Sequence, residues 1–522
     1  PLAVDRLASL AVIGPNAAAT MVMGGGSAAL VAQHETSPLD ALVARLGDRL
    51  EICHEPGVVT DRSAQPLGGR SAVRADGGRG FDVVYFDSTD WTGPEVGTAT
   101  FRDGRILHFD RAPGVSDLRS FSFRASTTYT PAVDGDHALT LVQAGRARLL
   151  VDGEVVVDGI ERPMPPGDEF FGMGSAEADA LVSMVAGRPV RVEVEWTSAE
   201  AAMLSGAKVG VRAPTPDDLM DRAVAVATAA DAVVLVVGTS LDWETEGRDR
   251  ESMDLPGDQP ELIRRVCAAN ERTVVVVNSG SVVTSDWAEV APAVLQIWFG
   301  GQEMADALVD VLFGDDEPSG RLPTTMPRRL EDTPAFLSYP GENGRVVYSE
   351  GLFTGYRWYE ARRLPVAFPF GHGLGYTTFR WGEPSLDEIP SIAELEAGAT
   401  VTVTVPVTNS GDRAGSEVVQ CYVAPTAPRL TRPVRELQGF AKVRLEPGGS
   451  ADVVIQLDHR AFAYWDPGDP GHSERLSRVP VAAGQGSGPR DEPGWHVDPG
   501  TYELHMGRSS ADTRHMVAVH LG

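Results

Sequence analysis

Cysteine is scarce: Cys53, Cys267 and Cys421 are the only three in 522 residues, far apart and in segments of different pattern. That excludes a disulfide framework and a thiolate metal cluster, and leaves them as packing residues. No apolar run is long enough to cross a bilayer as a helix, so no membrane partner is expected. No Lys/Arg-rich block interrupts a formal charge of −28, and such an excess of acid repels polyphosphate, which disfavours nucleic acid as a partner. The opening residues, PLAVDRLASLAVIGPNA, lack the basic stretch and long apolar run of a secretory signal and read as a linker entering a strand. Sparse cysteine leans towards a cytoplasmic setting without fixing the compartment.

What is present is enough apolar residue for more than one core. Hydrophobic residues make up 42% of a chain too long for a single core, and three domains are expected. Residues 10–14, 232–238, 273–278 and 293–298 are apolar runs without alternation, the pattern of parallel strands buried on both faces. Helical periods over 217–230, 259–270 and 302–313 alternate with them, which predicts a doubly wound α/β layer. From 81 to 197 the pattern changes to period-two stretches such as FSFRAST and RVEVEW between Gly, Pro and Asp turns, an antiparallel β-sandwich inserted in the α/β domain. After 379 a second, terminal sandwich follows, and 482–494 reads as a long loop. The fold class is therefore a multidomain chain: an α/β sandwich with a mostly parallel sheet over 1–79 and 200–379, interrupted by a β-sandwich over 80–199 and followed by another over 380–522.

Chemistry concentrates in DWETEGRDRESMDLPGDQ, residues 242–259, which follows a predicted strand and precedes a predicted helix. Loops at the carboxyl ends of parallel strands project side chains into a crevice while the sheet holds them still. Here Glu244, Glu246, Asp249, Glu251 and Asp254 crowd together with Arg248 and Arg250, and crowding raises the pKa of the least solvated carboxyl, as a proton donor requires. The same residues also suit a solvated acidic loop with surface ion pairs. Trp243 beside them can stack on a sugar face or pin the loop.

WETEGRDRESMDLPG resembles the acid/base loop of family 3 glycoside hydrolases, in which a Glu followed by Gly and x-Asp-Arg donates the proton. The likeness continues through IGPNA, GGGSA, WFGGQEMADALVDVLFGDDEPSGRLPTTMPRRLEDTPAF, VVYSEGLFTGYRWYE and FPFGHGLGYTTF in the family's order. It implies that Glu246 is the donor, that the tail is a fibronectin type III-like domain, and that the nucleophile, an Asp, belongs to an N-terminal TIM barrel in cis or on a separate chain. The insertion, through ARLLVDGEVVVDG and GDEFFGMGSAE, resembles the protective-antigen-type sandwich of some relatives. That likeness implies a lid over the active-site mouth, with Phe170 and Phe171 as its substrate-facing aromatics; adjacent aromatics also suit sandwich core. The implied reaction is retaining exo-hydrolysis of a glycoside or oligosaccharide, a β-D-glucoside first, with a β-xyloside or α-L-arabinofuranoside as alternatives. A non-catalytic carbohydrate-binding fragment is the reading from another class, and a homo-oligomer is left open.

Three lesser features carry no chemistry. Asp286, in a Ser-Asp-Trp setting like the family's nucleophile, lies within the α/β pattern and reads as a turn residue. Gly24 to Gly26 with Ser27 lack a following Lys and read as a tight turn, not a phosphate cradle. His372 has no second ligand at metal-binding spacing and reads as structural. No metal and no organic cofactor is implied.

Overall fold

The computed structural model describes residues 1–19, 21–30, 32–69, 71–170, 172–468 and 493–522. Its first unit is a parallel sheet of β1 (Ser9–Ile13), β2 (Glu51–Glu55), β3 (Ala232–Gly238), β4 (Thr273–Asn278) and β5 (Ala293–Gln296), in the spatial order β5-β4-β3-β1-β2. Helices α1 (Pro38–Leu46), α2 (Leu219–Ala229), α3 (Gln259–Ala269) and α4 (Met304–Phe313) cover it.

Strand alternation divides the sheet's apolar residues between two cores. Ala11, Ile13, Val233, Leu235, Val237, Val275 and Val277 pack with α2 and α3. Leu10, Val12, Val234, Val236 and Val276 pack with α1 and α4 on the other face. Burial on both faces is why these strands read as unbroken apolar runs. β2 and α1 escaped the sequence reading. β2, EICHE, is an edge strand with only partial burial, so its polar residues hide the period. α1 starts on a capping box, in which Ser37 accepts from the Asp40 N–H and Pro38 opens the helix.

Between β2 and α2 lie two antiparallel sheets, one seven-stranded and one five-stranded among the described residues. Their shared core includes Trp196 stacked on Phe123 at 5.0 Å and tilted against Phe121. The sheets reach beyond 80–199: Gln65–Pro66 and Ser205–Arg212 pair with each other, and the latter also pairs with Gly135–Ala144. SGAKVGVR is buried along six consecutive positions and built of small residues, so it carries no alternation to reveal it as a strand.

The C-terminal sandwich sets Phe379–Trp381, Ser385–Leu386, Val401–Asn409 and Ser450–Leu457 against Gly415–Pro425, Glu436–Leu445, Gly500–Gly507 and Thr513–Leu521. The loop expected over 482–494 lies outside the described residues except at its end, where Gly494–His496 pairs with Tyr464–Asp466. Cys267 and Cys421 are buried packing residues, whereas Cys53 on the edge strand is exposed, because the side chain of an edge strand has no neighbour on one side. No helix of the described residues is long and apolar enough to cross a membrane.

Candidate active site

The strand order reverses between β1 and β3: the chain runs outward from β1 to β2 and then returns to the other side of β1. Open α/β sheets form a crevice at such a point, beyond the carboxyl ends of the strands. Two loops meet there, the glycine-rich one after β1 and the acidic one after β3. Gly14 makes the turn at φ +114°, where a Cβ would stand 2.0 Å from the Val236 carbonyl oxygen.

Buried amides lock the bases of both loops. Gln259 closes the two ends of the acidic loop on each other, accepting from the Gly238 N–H and donating to the Gly238 carbonyl, each at 2.8 Å. Asn16 donates to the Thr239 carbonyl at 2.9 Å and to Asn278 Oδ1 at 3.1 Å, and Asn278 donates onward to the carbonyls of Met21 and Trp298. Satisfied buried amides of this kind rigidify a core.

The two loops are also joined to each other. The Gly25 N–H donates to the Glu244 carbonyl at 2.8 Å, and the Ser27 N–H donates to Glu246 Oε2 at 2.9 Å. Gly26, at φ +73°, lies so close that a Cβ there would be 2.5 Å from Glu246 Cβ. Glu244 turns inward, accepting from the Thr239 hydroxyl and, at 3.0 Å, from the Gly280 N–H. Arg250 donates to Ser281 Oγ and to the Asp254 carbonyl, and Arg248 to the Asp242 carbonyl. Glu246 is exposed at the loop tip, as are Asp249, Glu251 and Asp254, and it alone of these reaches back to the glycine-rich loop through Ser27.

Crowding does not raise Glu246. Hydrogen bonds from Ser27 hold its carboxyl below the usual value, because the group is open to water and its ionised form is stabilised. The carboxyl that rises is Asp242 at the loop base, through burial first, with Glu169 and Asp61 adding to the rise and Lys208 opposing it.

A cleft of about 1070 Å³ opens beside the loop tip, with Trp243, Glu244, Asp249, Arg250, Trp298 and Phe299 among its walls. Trp243 is pinned as well as exposed to the cleft: its indole N–H donates to the Thr60 carbonyl at 2.6 Å, and the Arg62 guanidinium lies over its ring at 5.5 Å. This placement suits both a platform for a sugar face and a pin for the loop. Tyr339 donates its hydroxyl to Asp249 from the neighbouring segment.

Lys208, one of two lysines in the chain, joins the insertion to the acidic loop. Its side chain is 5% exposed, and its ammonium lies 2.9 Å from Glu169 Oε1 and 4.0 Å from Glu177 Oε2. It also donates to Ser63 Oγ at 3.0 Å, which in turn donates to Asp242 Oδ2 at 3.3 Å. A lone lysine inside an otherwise small and apolar strand was the available signal, and it points to a buried partner.

Phe170, next to Glu169, is not among the cleft walls. Its ring lies against Gly174, where an added Cβ would come within 2.9 Å of Phe170 Cδ2, and its backbone is left-handed at φ 57°. Phe171 lies outside the described residues. Asp286 opens a 3-10 turn and pairs with Arg264 at 2.8 Å, while its neighbour Trp287 is buried. His372 packs on Phe368, and burial lowers its imidazole pKa.

Known proteins share the domains and the fold of this chain. The family described as Glycosyl hydrolase family 3 C-terminal domain matches residues 1–376, and the Fibronectin type III-like domain matches 417–510. A protein named Beta-glucosidase from Rhizobium radiobacter is 40% identical over 100% of this chain and 60% of its own length. Probable beta-glucosidase I from Aspergillus clavatus is 39% identical over 88% of this chain and 56% of its own length. The crystal structure of beta-glucosidase from Kluyveromyces marxianus in complex with glucose superposes with a TM-score of 0.85 at 33% identity, covering 100% of this chain and 60% of that one. The chain spans about 56 to 60% of the length of these relatives. With a doubly wound sheet whose switch-point loop carries E-G-x-D-R, and with a terminal fibronectin type III-like domain, this chain belongs to glycosyl hydrolase family 3.

Proposed function

We propose that this chain supplies the acid/base half of a retaining exo-β-glucosidase site, with Glu246 as the group that protonates the departing oxygen and then activates water. The observation that carries the reading is the placement of Glu246: exposed at the tip of a loop whose base is locked, at the switch point of the sheet, in the family's motif. Glu244 is committed inward and Asp286 is ion-paired elsewhere, so neither competes for the role.

A retaining mechanism needs a second carboxyl about 5 to 5.5 Å from the first, which attacks the anomeric carbon and forms a glycosyl-enzyme ester. A TIM barrel, in cis or as a separate chain, would provide it. Supporting that is the segment beside the acidic loop, where Leu337, Val347 and Tyr348 are 92%, 67% and 81% exposed; apolar surface of that kind belongs under another domain. Covering the loop tip would strip water from Glu246 and raise its pKa towards the range in which a carboxylic acid donates at neutral pH. Trp243 would present its indole to the sugar, and the loop carrying Phe170 and Phe171 would limit the length of substrate admitted.

The test is hydrolysis of p-nitrophenyl β-D-glucoside, β-D-xyloside and α-L-arabinofuranoside by the chain extended upstream through the barrel. Glucoside turnover in the extended form, reduced about 10² to 10⁴-fold by Glu246→Gln, is expected. Full activity in that variant would remove Glu246 from the mechanism, and turnover by the 522 residues alone would mean that the second carboxyl lies within them.

A further inference from the structure

Far along the chain from the acidic loop, the C-terminal sandwich carries a short antiparallel ribbon, Tyr464–Asp466 paired with Gly494–His496, in which Trp465 stands directly opposite Trp495. Directly opposed residues share one face of a ribbon. Here that face is turned to solvent: Trp465 is 52% and Trp495 47% exposed, while Tyr464 and Asp466 are buried on the other side. Every other tryptophan of the chain is buried or half-buried. The two indoles have centroids 5.6 Å apart and planes 67° to each other, so they form a corner and not a stack. The Arg460 guanidinium lies 3.2 Å over one face of Trp495 and holds that ring in place.

The corner borders a cleft of about 630 Å³ whose other walls include Arg432, Glu436, Gln438 and Leu352. A cleft of this size falls within the roughly 300 to 1,000 Å³ of small-molecule sites. Arg432, with 4% of its side chain exposed, is fixed by the Phe462 and Ala463 carbonyls and by Glu436, and its Nε has no hydrogen-bond partner among the described residues. Aromatic faces beside anchored guanidinium, carboxylate and amide groups suit a ligand with flat C–H faces and a rim of hydroxyls. A β-linked glucopyranose has that shape, because its ring substituents are equatorial and leave both faces as C–H surface.

We infer that this ribbon and cleft form a second carbohydrate site, for a β-linked gluco-oligosaccharide that rests a ring on Trp465 and turns its hydroxyls towards Arg432, Glu436 and Gln438. The ribbon lies on a different domain from Glu246, with Leu352 of the α/β unit closing one side of the cleft, and the site stands whether or not the catalytic reading does. It would hold chain ends or longer glycans without cleaving them.

The test is titration of the 522-residue chain with cellohexaose, followed by calorimetry and by the indole N–H signals of its tryptophans. Saturable binding that moves the Trp465 and Trp495 signals, weakened about tenfold or more by Trp465→Ala or Trp495→Ala and largely kept by Trp465→Phe, is expected. Circular dichroism of the variants checks that the sandwich is intact. No saturable binding, or binding that moves only Trp243 and survives both alanine substitutions, overturns the site. Glu246→Gln is expected to bind cellohexaose at the ribbon as the parent chain does, so a failure here is separable from a failure of the acid/base assignment.

Discussion

The ammonium of Lys208 lies 2.9 Å from Glu169 on the loop of the inserted sandwich, and through Ser63 it reaches Asp242 at the root of the acidic loop. One buried cation thus fixes two loops, that of the insertion bearing Glu169 and that bearing Glu246, to a common point. The rotatable N–H donors of one ammonium serve Glu169 and Ser63 at once. Lys208→Met is expected to leave Glu169 and Asp242 without their cation, while Glu177 keeps Arg212, and to cost about 3 to 5 kcal/mol of stability. The urea midpoint of unfolding reads that loss. Limited proteolysis should find new cleavage within 165–174 in the same variant, since the loop loses its tether there; an unchanged midpoint and digestion pattern would show that the ion pair holds nothing together.

Asp242 gives a pH signature of the same junction. Burial raises its folded-state pKa above the ordinary 3.8, so as pH climbs the unfolded chain releases this proton before the folded chain does. The unfolded state then binds fewer protons, and stability falls with rising pH until the folded-state pKa is passed. Asp242→Asn is therefore expected to flatten that fall and to be at least as stable as the parent at neutral pH, as read from urea unfolding across the acid range. A steeper fall in the variant would reverse the sign assigned to burial.

The α/β layer was legible because burial on both faces writes an uninterrupted apolar run, and β3 and β4 are the segments expected, residue for residue. β2 was not, because an edge strand with exposed Glu51 and Cys53 has no such run. Glu246 could be singled out by its motif, but its environment could not: the pairing with Ser27 joins residues 219 positions apart and follows from strand order alone. For the same reason GGGS read as a bare turn, although its close approach to Glu246 is what its glycines permit. Lys208 carried a signal of a buried partner, but which partner was not legible, since the junction is made by three segments that only the insertion's docking brings together.

Gly26 tests the join between the two switch-point loops. Its φ of +73° and the 2.5 Å from an added Cβ to Glu246 Cβ leave no room for a side chain, and the neighbour is loop structure held by hydrogen bonds. Gly26→Ala is expected to push the loops apart at a cost of about 1 to 3 kcal/mol. The Glu246 carboxyl, released from Ser27, should then titrate nearer the ordinary 4.5, an upward shift visible in its ¹³C carboxyl resonance. A stability loss without that shift would place the strain elsewhere than at the Ser27 contact.

Glu417 tests how the terminal sandwich is fastened to the α/β unit. Its side chain, 1% exposed on Gly415–Pro425, receives Arg321 from the α/β side at 3.0 Å and Arg508 from the sandwich itself. Removing one member of a buried ionic cluster leaves the others charged and unpaired, a penalty of about 3 to 5 kcal/mol, whereas the intact cluster contributes far less than that to stability. Glu417→Ala strands two guanidinium groups at the boundary between the units. Both units have their own apolar cores, so the penalty should fall on their docking more than on either fold. Calorimetry is expected to resolve two unfolding transitions in the variant where the parent chain shows stronger coupling, and Arg321→Met combined with Arg508→Met in the same background should restore part of the loss. If the single variant unfolds as the parent does, the cluster does not fasten the domains, and the apolar contacts between them carry the join.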